Sequence, residues 1–145
     1  MIVLLAGAVS MASPAGALTD TRTRGQVCTN NRCPDNSFET FSAQTFKGST
    51  RPSLSNQVVK FYFKREGATG WRRFGAKDPN GTSPAFKSLE EGHGRGHAHI
   101  KNDLTWRLEF SAYKEGRWVL MAKFERQDGY AASSVRRHVT VHFSD

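Results

Sequence analysis

The densest group of chemically capable side chains lies in one short stretch, Glu90-Glu91-Gly92-His93-Gly94-Arg95-Gly96-His97-Ala98-His99. If Ala98 sits in a strand, His97 and His99 point to the same face. A histidine pair with that alternation can chelate Zn²⁺ or Cu²⁺ through imidazole nitrogens, with His93, Glu90 or Glu91 as a third ligand. The same stretch holds the residue types of a small secreted ribonuclease: a carboxylate base, a histidine acid and Arg95 to hold phosphate. Two features weigh against both readings. The glycines flanking Arg95 loosen the segment, whereas a metal centre needs rigid support behind its ligands. The chain also lacks a Gly-x-Ser-x-Gly nucleophile turn and a phosphate-cradling glycine loop that opens a helix. The candidate metal set is therefore His93, His97 and His99, with no catalytic residue and no cofactor expected. His138 and His142 share a face of the last strand, but four residues of strand span about 13 Å, too far for one ion to bridge unaided.

Charge points to a different chemistry. Lys and Arg number 21 against 13 Asp and Glu, a formal net charge of +8. Such a balance attracts acidic partners over long range. Lys60, Lys64, Arg107, Lys123 and Arg136 fall on the polar faces of alternating segments, with Tyr62 among them. If those segments share a sheet, they form a basic face for an anionic surface or polymer, and binding there depends on salt. Tyr62 alone is a poor stacking platform, which argues against single-stranded nucleic acid. An anionic wall polymer or an acidic protein is the expected partner. Excess Lys and Arg also keep a β protein soluble and guard its edges.

The elements that must carry these residues read as strands. In Gln57–Glu66, Val59, Phe61 and Phe63 alternate with Lys60, Tyr62 and Lys64; Gly67-Ala68-Thr69-Gly70 then turns the chain into a return segment at Trp71–Phe74. That is a period of two closed by a hairpin turn. Leu104, Trp106, Leu108 and Phe110 alternate likewise, as do Trp118, Leu120, Ala122 and Phe124, and then Val135, Arg137, Val139, Val141 and Phe143. Phe38, Phe41 and Phe46 mark an earlier strand region, and Trp71, Trp106 and Trp118 occupy core-like positions. Ser88–Glu91 is the one stretch that suggests a helical turn. Short strands at regular spacing, with Asp78-Pro79-Asn80-Gly81 and Asp128-Gly129 between them, predict an antiparallel β-sandwich or a barrel. Asn80-Gly81-Thr82 matches a glycosylation sequon but serves equally as a turn.

Ile2–Ala12 is uncharged and apolar, and Ala15-Gly16-Ala17 has the small residues that signal peptidase reads. The run is too short and too interrupted to span a bilayer, so residues 1–17 are expected to be a cleavable signal and the protein secreted. Cys28 and Cys33 are the two cysteines. In an oxidising compartment they are expected to pair. Closing so short a loop contributes only about 2 kcal/mol, enough to staple a turn. Residues 18–36 read as a flexible lead-in containing that turn, and 37–145 as the folded domain.

At the C-terminal end, Gly116-Arg117-Trp118, Phe124, Asp128-Gly129-Tyr130, Ser133-Ser134, Val139 and Val141 resemble the last hairpin of the immunoglobulin-like domains found in exported proteins of high-GC Gram-positive bacteria. Phe61-Tyr62-Phe63 answered by Trp71 is similar to a central hairpin of that fold. The resemblance implies an immunoglobulin-like sandwich, with one departure: Cys28 and Cys33 stand too close to link two sheets. The expectation is a secreted, non-enzymatic interaction module. The alternative is a small nuclease-like hydrolase or metal-binding protein built on the histidine cluster.

Overall fold

A computed structural model describes residues 17–52, 56–77, 80–81, 83–90 and 96–144. The proposed cleavage segment up to residue 16, His93, Glu91, Arg95 and Thr82 of the sequon lie outside the described residues.

Ten strands form two sheets, and no helix occurs among the described residues: β1 Arg22–Cys28, β2 Ser37–Glu39, β3 Gln44–Arg51, β4 Val58–Arg65, β5 Arg72–Arg73, β6 Phe86–Ser88, β7 His97–His99, β8 Thr105–Ala112, β9 Gly116–Phe124 and β10 Ser133–His142. The first sheet runs β1-β3-β8-β6. The second runs β2-β10-β9-β4-β5, with β7 also pairing with β4. All pairings within these sheets are antiparallel except that of β2 with β10.

The period-two segments become strands because alternation gives each one an apolar face to bury. In β4, Val59, Phe61 and Phe63 are buried while Lys60, Tyr62 and Lys64 are only partly so. In β8, Trp106, Leu108 and Phe110 are buried and Arg107 and Glu109 exposed. The two inner faces meet in a slab of rings. Phe46 of β3 lies 5.5 Å from Phe61 of β4, and Trp106 lies 5.7 and 5.5 Å from them. Phe74, just beyond β5, packs on Phe61, Phe63, Phe86 and Phe110. The indole N–H of Trp106 donates to the Thr50 hydroxyl at 3.2 Å, which permits full burial of that ring.

Trp106 also needs room, and two glycines give it. Gly25, Gly48 and Trp106 stand side by side across β1, β3 and β8. A Cβ on Gly48 would lie 1.8 Å from the Arg24 carbonyl oxygen and 2.7 Å from the indole, and one on Gly25 would lie 2.6 Å from the indole.

Three expectations require correction. The lead-in over 18–36 is a strand across Arg22–Cys28, paired with β3 along its whole length. Its Thr-rich sequence hides the pattern because the inward positions are Thr23, Gly25 and Val27, and only Val27 is conspicuously apolar. Phe41 is not inside: it is 67% exposed with φ of +66°, in the turn that separates β2 from β3. Ser88, expected to open a helical turn, ends β6. The Cys28–Cys33 disulfide forms as expected and closes a two-residue turn, in which Thr29 and Arg32 exchange backbone hydrogen bonds of 3.1 and 2.9 Å.

The sheets are stitched along one side. Thr21 donates to the Ala131 carbonyl, and the Thr23 and Ser133 hydroxyls are 2.7 Å apart. Arg137 Nε donates to the Gly25 carbonyl at 2.9 Å. Replacing Gly48 by Ala forces β1, β3 and Trp106 apart, and the expected loss is at least about 2 kcal/mol. A urea midpoint unchanged from the parent protein would refute this account of the glycine pair.

Candidate anion-binding faces

Each sheet presents one face to water, and the cations distribute unevenly between them. On β4, Lys60, Tyr62 and Lys64 project outward. The register puts Lys123 opposite Lys60, Met121 opposite Tyr62, and Arg136 opposite Met121 on the far side. Four of the five residues expected to form one basic face, Lys60, Lys64, Lys123 and Arg136, therefore share the outer face of the second sheet. Arg107 does not: it lies on β8, in the other sheet.

Much of the charge on the second sheet is already answered within the protein. Lys60 Nζ is 3.0 Å from a Glu125 carboxylate oxygen, and the Tyr62 hydroxyl donates to the other oxygen at 2.6 Å. Trp71, expected in the core, is half-buried on the outside instead. Lys64 Nζ stands 4.8 Å from its ring centroid and the Arg136 guanidinium carbon 5.3 Å from it. Those two cations belong to the strands on either side of β9, so the indole lies across β9. Val119 and Met121 of β9 face outward there yet are only 5% and 6% exposed, which this cover explains. Arg73 stacks on Tyr62 at 5.5 Å.

His97 and His99 fall on β7 opposite Lys60 and Val58, on that same outer face, with ring centroids 5.6 Å apart. The strand placement of Ala98 is as the alternation required. His99 Nδ1 is 3.2 Å from the Asn56 carbonyl oxygen. Among the described residues no group of three potential ligands gathers around the pair.

The first sheet differs. Its register sets Arg22 opposite Arg51, Arg24 opposite Ser49, and Lys47 between Gln26 and Arg107, all on the outer side. Two of these are like-charge pairs directly across strands, an arrangement that costs stability. An open hollow of about 640 Å³ is lined by Arg24, Gln26, Lys47, Ser49, Thr105 and Arg107, with Lys101 and Arg137 also on its wall. A second hollow of about 260 Å³, lined by Arg22, Arg24, Ser49 and Arg51, shares Arg24 and Ser49 with it. Together they make one trough with no carboxylate in its lining among the described residues. Glu109 reaches Arg107 at 3.0 Å, but both side chains are half exposed, and a pair so placed is worth little. Sequence reasoning missed Arg22, Arg24, Lys47 and Arg51. The available signal was Arg22-x-Arg24-x-Gln26, an alternation overlooked because its inward partners are Thr and Gly.

The Glu125 cluster sets a pH dependence. The Tyr62 hydrogen bond, then Lys60, hold the Glu125 carboxyl below the usual carboxylate range despite an opposing effect of burial. A lowered folded value stabilises the fold above the unfolded pKa of about 4.3 and loses that stabilisation as pH falls through the folded value. Burial, then the Glu125 hydrogen bond and charge, push the Tyr62 phenol up to about 12. That contribution is complete below about pH 10 and disappears as pH rises through the folded value. Ultraviolet titration is expected to show one late-ionising tyrosine near pH 12, absent in Tyr62→Phe. Tyr62→Phe is also expected to lose more stability at pH 7 than at pH 3, where Glu125 is protonated in the unfolded chain. Equal losses at both pH values would contradict this assignment.

No protein-family model matches the chain, and no curated protein matches it. Among solved structures it is similar to the human F-spondin reeler domain, at 10% identity over 87% of this chain and 95% of that one, with a TM-score of 0.48. It is also similar to BslA, a bacterial hydrophobin, at 12% identity over 84% of this chain and 99% of that one, with a TM-score of 0.40.

Proposed function

We propose that this chain is a secreted, non-enzymatic interaction module that binds an anionic polymer in the trough across β1, β3 and β8. The observation that carries the reading is the two like-charge cross-strand pairings, Arg22 with Arg51 and Lys47 with Arg107, in a trough whose lining has no carboxylate among the described residues. Placing cations opposite one another costs stability in the free protein. A row of negative groups laid along the strands removes that cost and gains charge-assisted hydrogen bonds. Successive outward residues on a strand are about 6.7 Å apart, a spacing suited to repeating charges on an extended polymer. The trough has no exposed aromatic ring for base stacking: Trp106 is 1% exposed and its N–H already has a partner. A glycan or polyol polymer with phosphate or carboxylate groups, such as an anionic wall polymer, suits it better than nucleic acid.

The disulfide supports an oxidising compartment, in line with the proposed leader at residues 1–17. We read the two facing, largely antiparallel sheets, with the β9–β10 hairpin in the second, as a variant of the immunoglobulin-like sandwich. The disulfide lies at one end of β1 and takes no part in joining the sheets.

Binding is measured by titrating labelled poly(glycerol phosphate) at several salt concentrations. The expected logarithmic plot of affinity against salt is linear with a negative slope, reduced by roughly one for each phosphate contact removed. Reversing Arg24, Lys47 and Arg107 to Glu is expected to abolish binding, while reversing Lys64, Lys123 and Arg136 leaves most of it. The opposite ranking would move the site to the second sheet, and insensitivity to both triples would end the reading.

A further inference from the structure

A separate cavity of about 310 Å³ lies at one end of the second sheet, where β4 turns into β5 beside the β8–β9 turn. Its walls are Phe63, Lys64 and Arg65 of β4, Ala68, Thr69 and Gly70 of the turn, Arg72 of β5, Lys114 and Trp118. None of these is acidic, and four are cations. Trp118 is 4% exposed, and its indole Nε1 is buried with no hydrogen-bond acceptor among the described residues. The only other indole in the inner slab, that of Trp106, has its acceptor in Thr50. Trp118 thus departs from the rule that buried indole donors find partners.

The surroundings explain what the missing acceptor must be. The Arg65 guanidinium stacks on the Trp118 ring, its carbon 4.2 Å from the centroid, and Arg65 Nη1 reaches only a long 3.5 Å contact to the Glu115 carbonyl oxygen. Gly116 has φ of +132°, and a Cβ there would stand 2.5 Å from Arg65 Nη1 and 3.4 Å from Trp118 Nε1. The Arg65 guanidinium takes the space that a side chain at 116 would fill, and so lies beside the orphan N–H. A group that satisfies both must accept more than one hydrogen bond and carry negative charge.

We propose that this cavity is a binding site for a single oxyanion group, a carboxylate or a phosphate, held between Arg65 and the indole N–H of Trp118 in the field of Lys64, Arg72 and Lys114. The site lies on the other sheet from the polymer trough and stands independently of that reading. Its dimensions suit one terminal or side-group anion of a ligand, whereas the trough suits a run of charges.

The test uses ¹⁵N-labelled full-length protein titrated with sodium acetate in one arm and sodium phosphate in the other, each against sodium chloride at matched ionic strength. The Trp118 indole cross-peak, assigned by its loss in Trp118→Phe, is expected to move saturably with at least one oxyanion and not with chloride; the arm that saturates first identifies the preferred group. Trp118→Phe removes the unpartnered donor together with part of a ring packed on Phe63 and Phe86. It is expected to fold with a lowered melting temperature and to weaken oxyanion binding about tenfold, followed on backbone amides of residues 68–70. Arg65→Gln, which leaves the indole in place, is expected to weaken binding at least as much. The Arg24, Lys47 and Arg107 reversal is expected to leave the indole response intact, so failure of the trough and failure of this site are separately visible. An indole peak that does not move, or moves equally with chloride, overturns the proposal, as does full affinity in Trp118→Phe.

Discussion

Phe46 of one sheet meets Phe61 of the other, and Trp106 packs on both; Phe63, Phe74, Phe86, Phe110 and Trp118 extend the same ring-on-ring contact toward the far end. Aromatic side chains bury large areas at low entropic cost and interlock in tilted and edge-on geometries. Short strands such as β5 and β6, two and three residues long, have too few ladder hydrogen bonds to hold themselves. They persist because Phe74 follows β5, Phe86 begins β6, and both rings enter the slab. The glycine pair at 25 and 48 belongs to the same constraint, since Trp106 can take its place only if β1 and β3 present bare backbone to it.

The slab takes most inward positions and leaves most of the strand cations on the two outer faces, and those faces treat them differently. On the second sheet, Glu125 and Trp71 engage Lys60, Lys64 and Arg136. The indole shields outward-facing Val119 and Met121, so that surface resembles a thin third layer of packing. On the first sheet, the described residues that line the trough are cations and uncharged groups. Self-repulsion there is a standing cost, and the slab must supply the stability that tolerates it. An excess of charge located on the better-compensated face would say little about a partner; located on the uncompensated face, it says more.

The sequence was most legible where one face of a strand is aromatic and the other charged. β4, β8, β9 and β10 follow directly from that alternation, as does the pairing of Cys28 with Cys33. Legibility failed where inward positions are small or polar. In β1 the inward residues include Thr23 and Gly25, whose roles are a hydroxyl contact and a space for Trp106, and neither registers as hydrophobic period. Trp71 misled for the opposite reason: a large aromatic beside a hairpin reads as core, but a ring between two cations can be stable on the outside. Arg107 was grouped with the wrong cations because alternation gives the face of a strand and not the sheet it joins. Sheet membership depends on pairings between residues far apart in sequence, such as Arg107 with Lys47.

The strand that the pattern concealed is also the one on which the trough depends. β1 is an edge strand and supplies Arg22 and Arg24. Left alone, such an edge would fray or recruit another chain. Here the outward carbonyls are occupied: that of Gly25 accepts from Arg137, and that of Val27 accepts from the Asp35 N–H at 2.7 Å. Hydroxyls of Thr21 and Thr23 tie its start to β10, and the disulfide fixes its end at Cys28. The strand is thus anchored along its length, at Gly25 by Arg137, which also stands on the trough wall. Under the proposed function, cations on a backbone held this way would lose little further freedom when a polyanion binds, leaving more of the electrostatic attraction as affinity. The small disulfide loop, negligible as a fastening between sheets, instead fixes the end of the edge strand on which the proposed recognition rests.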